Sequence, residues 1–275
     1  MRAKGRLMTM QAMTGKTEGR HSTLDEVLAM ETGAQATVHG LGHTLRDLGD
    51  VRFALLRMPQ GVLQCVLGAG EDVRDGDAVT VSGEAVRDER ASGGVELHAQ
   101  RVRVLSRAAE AMPVPIGKNK MNLSLDTDLS LRFVTLRNLR KRAVFKIQEG
   151  IVRGFREALQ KEGFTEIHSP KIVAQNAEGG ANLFKLDYFG TPAYLAQSPQ
   201  FHKQYLAGAF GRVYEIGSVY RAERHNTSRH LNEYMGLDFE MAYIDSMYDV
   251  MAMETGMLKS VMAYVKEHCA EELAM

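Results

Sequence analysis

The chain has 275 residues, enough for two domains, with 44% hydrophobic and 25% charged residues, ordinary proportions for a globular protein. No apolar run reaches membrane-spanning length and no secretory h-region is present. The formal net charge is zero, which excludes a general electrostatic grip on nucleic acid and leaves local basic surface and base readout for any RNA contact.

The opening MRAKGRLMTMQAM is basic and Met-rich and reads as a loose extension or a misassigned start, with a transit peptide as the other reading. Residues 1–34 are therefore set apart as an N-terminal extension. Residues 35–105 alternate short apolar runs with turn signals. QATVHGLGHTL, VRFALLRM, GVLQCVLG, DAVTVSGEAV and VELHAQRVRVL predict five strands, punctuated at Pro59-Gln60-Gly61, Asp75-Gly76-Asp77 and Ser92-Gly93-Gly94. Five short strands in this length predict a small β-barrel of OB-fold type. Along the third strand Leu63, Cys65 and Leu67 share a purely apolar face, which leaves Gln64 on the other. Phe53 lies on the neighbouring strand. An aromatic and an amide together suit stacking on an unpaired base and hydrogen bonding to it. Taken by itself, Phe53 is more often a core residue. His39 and His43 are four apart, but on strand and loop they read as surface residues rather than ligands. Cys65 and Cys269, the only cysteines, lack metal-type spacing and fit a reduced cytosolic setting.

Residues 106–141, with Pro113 and Pro115, show no sustained period and read as a linker. From Arg142 to Glu162 the pattern is helical, with Val144, Ile147, Ile151, Phe155, Ala158 and Leu159 on one face and Gly163 as the C-terminal stop. GFTEIHSPKIV follows as a strand-like run that Pro170 ends. Ser246 and Asp249 form a candidate capping pair for a last helix carrying Met247, Val250, Met251, Met257, Leu258, Val261, Met262 and Val265.

The densest chemistry lies in YRAERHNTSRHLNE, residues 220–233, with three arginines, two histidines and two glutamates between two strand-like flanks. Fixed positive charge at strand ends and on the loop between them suits a polyphosphate. Arg221 and Glu223 read as sitting inside the apolar run, where charges need a reason.

This stretch resembles motif 2 of the class II aminoacyl-tRNA synthetases, Arg-x-Glu, loop, Arg. The wording is similar to that of aspartyl-tRNA synthetases of the archaeal and eukaryotic type, with Tyr220 where Phe is commoner. The resemblance extends from about Ala36 to about Met262 and takes in GFTEIHSPKIV as motif 1. It implies an α+β fold: an N-terminal OB-fold β-barrel for anticodon binding (35–105), a hinge (106–141), then part of an antiparallel-sheet catalytic domain (142–275). It implies that Arg221 holds the ATP α-phosphate as the catalytic residue. Glu223 accepts from the adenine amino group, and Arg229, His230 and Leu231 complete the ATP contacts. In AQSPQFHKQ, Ser198, Gln200 and Lys203 match substrate-binding positions, and Lys203 supplies charge for the aspartate side-chain carboxylate, which an asparagine pocket would not need. Asp238 would meet the substrate ammonium and Glu240, two residues on and on the same strand face, would support it. NAEGGANLF resembles the mobile loop over the amino acid, with Glu178 near its ammonium. Phe53 and Gln64 match anticodon contacts.

The implied reaction joins L-aspartate to tRNA(Asp) in a cytoplasmic homodimer, with ATP as substrate and Mg²⁺ as cofactor. The motif 1 helix and strand would make the dimer interface. No metal ligand is assigned within the chain. Leu41 lies where a Trp marks some strict family members and so points to charging of tRNA(Asn) as well. Nothing in the 275 residues matches the family's third motif, the Gly-rich segment ending in Glu-Arg, and the Mg²⁺ ligands are expected beyond Met275. The 275 residues by themselves are thus expected to lack one wall of the ATP site and to show no aspartate-dependent ATP–pyrophosphate exchange. The alternative is a non-catalytic RNA-binding or regulatory paralogue that lacks motif 3.

Overall fold

The structure is a computed structural model that describes residues 20–49, 51–68, 70–175, 182–225, 227 and 230–275. By packing, the chain divides between Arg142 and Ala143 into two units.

The first unit is built on five strands: β1 (Gln35–Leu48), β2 (Val51–Arg57), β3 (Val62–Gly68), β4 (Ala78–Arg87) and β5 (Val95–Ser106). They close in the order β1-β2-β3-β5-β4, with β3 parallel to β5 and the other pairs antiparallel. This closed five-stranded barrel is the OB-like architecture that the strand spacing predicts. Strand alternation sends Val38, Ala54, Leu56, Leu63, Cys65, Leu67, Val79, Val81 and Leu97 into one core. Each fully buried Leu or Val contributes about 1.5–3 kcal/mol. A one-residue slip of any strand would turn that set outward, so the core fixes the register. At Gly83 a Cβ would run into the backbone carbonyl of His98, so only glycine permits this approach of β4 to β5.

Before the barrel, α1 (Leu24–Leu28) is closed by a capping box in which Thr23 Oγ1 accepts from Glu26 N and Glu26 accepts from Thr23 N. Leu24 and Val27 belong to the barrel core, so residues 20–34, set apart as N-terminal extension, pack as part of the barrel unit, while the opening MRAKGRLMTMQAM lies outside the described residues. His43 is 6% exposed, against the expectation of a surface residue. His39 is half-buried, with its ring 3.5 Å from that of His21.

The stretch read as a linker has its own small core of Val114, Ile116 and Val134. Helices α2 (Leu125–Ser130) and α3 (Arg132–Thr135) lie within it. Asp128 is buried and receives Lys141 Nζ at 2.5 Å. Asn138 Oδ1 accepts from Lys141 N at 3.2 Å, an N-cap that starts α4 (Leu139–Lys161) three residues before the predicted Arg142.

In the second unit, α4 ends in a Schellman turn: Gly163 has φ +79°, Phe164 N donates to Leu159 O and Gly163 N to Gln160 O. Val144, predicted on the buried face, is 62% exposed, and the buried line runs instead through Ala143, Gly150, Gly154, Phe155, Ala158 and Leu159. β6 (Thr165–Glu166) pairs parallel with β10 (Arg212–Tyr220), which pairs antiparallel with β11 (Glu233–Met241). A second sheet holds β7 (Ile172–Val173), β9 (Thr191–Leu195) and β8 (Lys185–Tyr188) in that order. α5 (Gln200–Phe210) precedes β10, and α6 (Met247–His268) and α7 (Ala270–Ala274) follow β11. The Ser246–Asp249 capping box opens α6. Met257, Val261 and Val265 are buried, whereas Met247, Met251, Leu258 and Met262 are exposed.

Candidate functional site

β10 and β11 pair along their whole length, and alternation divides their side chains between two faces. Tyr214, Ile216, Phe239 and Met241 join Phe155, Leu159, Met257 and Val261 in the helix-covered core. The opposite face carries Glu215 across from Asp238, Val213 across from Glu240, and Gly217 across from Gly236. Three carboxylates on one face of a two-stranded ribbon require cations.

Lys203 supplies one. Its Nζ lies 2.9 Å from Asp238 Oδ1 and 3.5 Å from Glu240 Oε2, with the lysine side chain 12% exposed. A lysine in the first turn of α5 thus reaches two carboxylates that strand alternation aligns, and three of the predicted site residues form one bonded cluster. Ser198 Oγ accepts from Gln200 N at 3.2 Å, which ties the start of α5 to the turn before it.

Sequence reasoning missed the second cation. Lys171 Nζ meets Glu215 Oε1 at 2.5 Å, Ser169 Oγ donates to Oε2 at 2.7 Å, and Ser169 N donates to Oε1 at 3.3 Å. Glu215 is 3% exposed. The signal was present in VYEIGSVY, a carboxylate inside an apolar run. Its partners lie some forty-five residues earlier, beyond the reach of any local pattern. The glycine pair beside this cluster leaves room for it, since a Cβ on Gly217 would stand 3.0 Å from Glu215 Oε1 and 3.2 Å from Lys171 Nζ.

Arg221 leaves the end of β10 with its backbone N–H bonded to Asn232 O at 2.9 Å, and Glu223 follows with its N–H on Arg221 O at 2.7 Å. Both residues are half-buried. At the far end of the loop His230 and Leu231 are exposed, and His230 Nδ1 pairs with Thr227 Oγ1 at 2.7 Å. Glu178 and Arg229 lie outside the described residues.

On the barrel the register sets out an outward platform. Arg46, Phe53, Val66 and His98 form one cross-strand row, and Thr44, Leu55, Gln64 and Glu96 form the next. Phe53 and Gln64 therefore share a face, in adjacent rows. Gln64 Nε2 donates to Glu96 Oε2 at 2.7 Å, and His98 Nε2 lies 2.7 Å from Glu96 Oε1. Glu96, 6% exposed, is a second residue that sequence reasoning missed. The parallel pairing of β3 with β5 that brings it beside Gln64 comes from barrel closure.

Comparison with known proteins agrees with this architecture. The family model "tRNA synthetases class II (D, K and N)" matches residues 124–275. The chain is 49% identical over 241 residues to the "Aspartate--tRNA(Asp/Asn) ligase" of Deinococcus radiodurans, covering 87% of this chain and 55% of the relative. It is 44% identical over 248 residues to the protein of the same name from Thermus thermophilus, covering 90% and 59%. The crystal structure of asparaginyl-tRNA synthetase from Pyrococcus horikoshii complexed with asparaginyl-adenylate superposes with a TM-score of 0.85 at 29% identity, over 94% of this chain and 61% of that one. The chain thus spans a little over half the length of these relatives. With more than half its residues matched by the family model, the chain belongs to the class II tRNA synthetases of the D, K and N group.

Proposed function

We propose that the chain provides the anticodon-binding barrel (35–105), the hinge (106–141) and the motif 1 and 2 portion of the catalytic domain (142–275) of a cytoplasmic, homodimeric aspartate–tRNA ligase. It activates L-aspartate with ATP and charges tRNA(Asp), and Leu41 extends the substrates to tRNA(Asn). In the first step an aspartate carboxylate oxygen attacks the α-phosphorus, forming the mixed anhydride as the bond to pyrophosphate breaks. In the second, the terminal ribose hydroxyl takes the aspartyl group and AMP leaves. Catalysis of this kind is mostly positioning and charge neutralisation.

The observation that carries the reading is the Lys203–Asp238–Glu240 cluster. Lys203 is a shielded cation, and its charge-assisted bond to Asp238 is worth about 1.5–3 kcal/mol. Asp238 takes the substrate ammonium, Lys203 takes the side-chain carboxylate, and Glu240 keeps Lys203 in place. Ser198 and Gln200, before and at the start of α5, are assigned to the same substrate, and Glu178 to its ammonium. Arg221 engages the α-phosphate, since its planar guanidinium can span two oxygens. Glu223 accepts from the adenine amino group, and Arg229, His230 and Leu231 close on the rest of ATP. Mg²⁺ screens the phosphates in such reactions, but Glu215, Asp238 and Glu240 are each held by a lysine ammonium and do not fit as its ligands. Phe53 and Gln64 read the anticodon.

The test is exchange of labelled pyrophosphate into ATP by the chain carried forward through a third motif taken from a relative. Exchange should depend on aspartate and vanish in Arg221→Ala, and Lys203→Met should lose the preference for aspartate over asparagine. Exchange that ignores aspartate, or survives loss of Arg221, sinks the reading.

A further inference from the structure

Glu96 is a carboxylate buried on the outward face of a barrel. Such a group is costly unless both oxygens are satisfied. Here one oxygen faces Gln64 Nε2 and the other His98 Nε2, each at 2.7 Å. An ionised carboxylate only accepts, so the atoms facing it must carry protons. Two consequences follow. The Gln64 amide turns its NH₂ to Glu96, which leaves its carbonyl oxygen, an acceptor, as the group offered elsewhere. His98 carries a proton on Nε2 and acts as the second donor. Arg90 is bonded to Asp88 at 2.7 Å and is nearly fully exposed.

We propose that His98 is a positioning residue for RNA reading, acting through Glu96 on Gln64. Its bond to Oε1 holds the carboxylate turned so that Oε2 anchors the Gln64 amide. The Gln64 carbonyl is thereby aimed at a base edge that presents an N–H donor. The register gives the complementary half of the contact: His98 shares its row with Phe53, and Glu96 shares its row with Gln64. A base stacked on Phe53 then has the Gln64 carbonyl one row away. The inference rests on the assignment of Phe53 and Gln64 to unpaired bases.

The experiment measures the affinity of the full chain for a short synthetic hairpin carrying the tRNA(Asp) anticodon loop, against the same stem with a scrambled loop. Variants are His98→Leu, His98→Gln, Gln64→Ala, the double variant His98→Leu/Gln64→Ala, and Phe53→Ala. Gln64→Ala and His98→Leu should each weaken the cognate hairpin by about fivefold or more, as one lost hydrogen bond does, and reduce discrimination against the scrambled loop. His98→Gln, which keeps an N–H donor, should bind within about twofold of the parent. The double variant should bind no more weakly than Gln64→Ala, because a residue that acts through another adds nothing once the other is gone. Thermal melting should be near that of the parent for His98→Gln, which separates a lost donor from a lost fold. Additive losses in the double variant, or a silent His98→Leu beside a weakened Gln64→Ala, would overturn this inference alone. Silence of both Phe53→Ala and Gln64→Ala would overturn the anticodon assignment beneath it.

Discussion

Gly150 of α4 lies directly against Cys269, so close that a Cβ on Gly150 would stand 2.6 Å from the Cys269 Sγ. One turn on, a Cβ on Gly154 would meet Tyr264 Cβ at 3.0 Å and Val261 Cα at 3.2 Å. Gly154 is thus a point of close approach between α4 and α6, and Gly150 one between α4 and the residue that ends α6. Gly150→Ala should destabilise the second unit by roughly 1–3 kcal/mol, the usual range for overpacking. Gly256, on α6 with nothing within 4 Å of its built Cβ, is the control. Gly256→Ala should be neutral or stabilising by up to about 1 kcal/mol, because it removes only a helix penalty. Chemical denaturation followed by circular dichroism distinguishes the two.

Lys171 and Glu215 predict a larger loss. Lys171→Met leaves the Glu215 carboxylate, 4% exposed, with Ser169 as its remaining partner in the cluster. Breaking a buried pair by removing one partner costs roughly 3–5 kcal/mol, and the partial exposure of Lys171 places this case at the lower end. Lys171→Met/Glu215→Gln should recover part of that stability, since no uncompensated charge stays behind. A single variant as stable as the parent would show that water already satisfies Glu215.

Three histidines make the stability of the barrel unit depend on pH. Burial holds His21, His39 and His43 below the ordinary imidazole range, and the Arg57 and Arg142 charges add to the effect at His43. The folded state therefore binds fewer protons than the unfolded chain, whose histidines titrate near 6.5. Their contribution is complete above the unfolded value and is lost as pH falls from about 7 through 6.5 toward the folded values. The urea midpoint should drop between pH 8 and pH 5.5, and His43→Leu should make that slope shallower. A flat profile would mean that these rings take up protons in the folded state as readily as in the unfolded one.

At lower pH a carboxylate in the second unit takes over. Arg156 grips Glu166 with two bonds of 2.9 Å, and Tyr214 Oη donates to the same carboxylate at 2.9 Å. The guanidinium, with help from the phenol, holds Glu166 below the usual carboxylate range. That stability is present above the unfolded value, near 4.3, and disappears as pH falls through the lower folded one. Glu166→Gln should therefore lower the unfolding midpoint at pH 7 and change little at pH 2–3. Equal losses at both would assign the effect to packing.

Most of the barrel was legible in the sequence, because period-2 alternation and Gly or Pro turns are local signals. GVLQCVLG reported both its faces, and Gln64 lies on the face that alternation assigns. The Lys203–Asp238–Glu240 cluster was half legible. Asp238 and Glu240 declare their common face by spacing, whereas Lys203 reaches them across thirty-five residues and was placed by family resemblance. Glu215 and Glu96 were not legible, since each depends on partners brought in by the fold. α4 misled at Val144: the apolar stripe is wider than the buried one, whose closest contacts fall on Gly150 and Gly154, residues without hydrophobic signal. The short α1 escaped notice because five residues carry too little periodicity, although Thr23-x-x-Glu26 is a capping box in plain view.

That small helix sets where the barrel unit can be cut. Leu24 and Val27 lie in the core together with Leu56 and Leu63. Ser22 N bonds Thr37 O, Gly33 N bonds Ala85 O, and Glu31 bridges to Arg87. A fragment begun at Gln35, where the first strand starts, would lose Leu24 and Val27 from the core and leave part of the backbone of β1 and β4 unpaired. Begun at Arg20, it would keep these two core residues and the backbone pairing. The useful boundary for an isolated barrel fragment is therefore the cap of a one-turn helix and not the start of a strand.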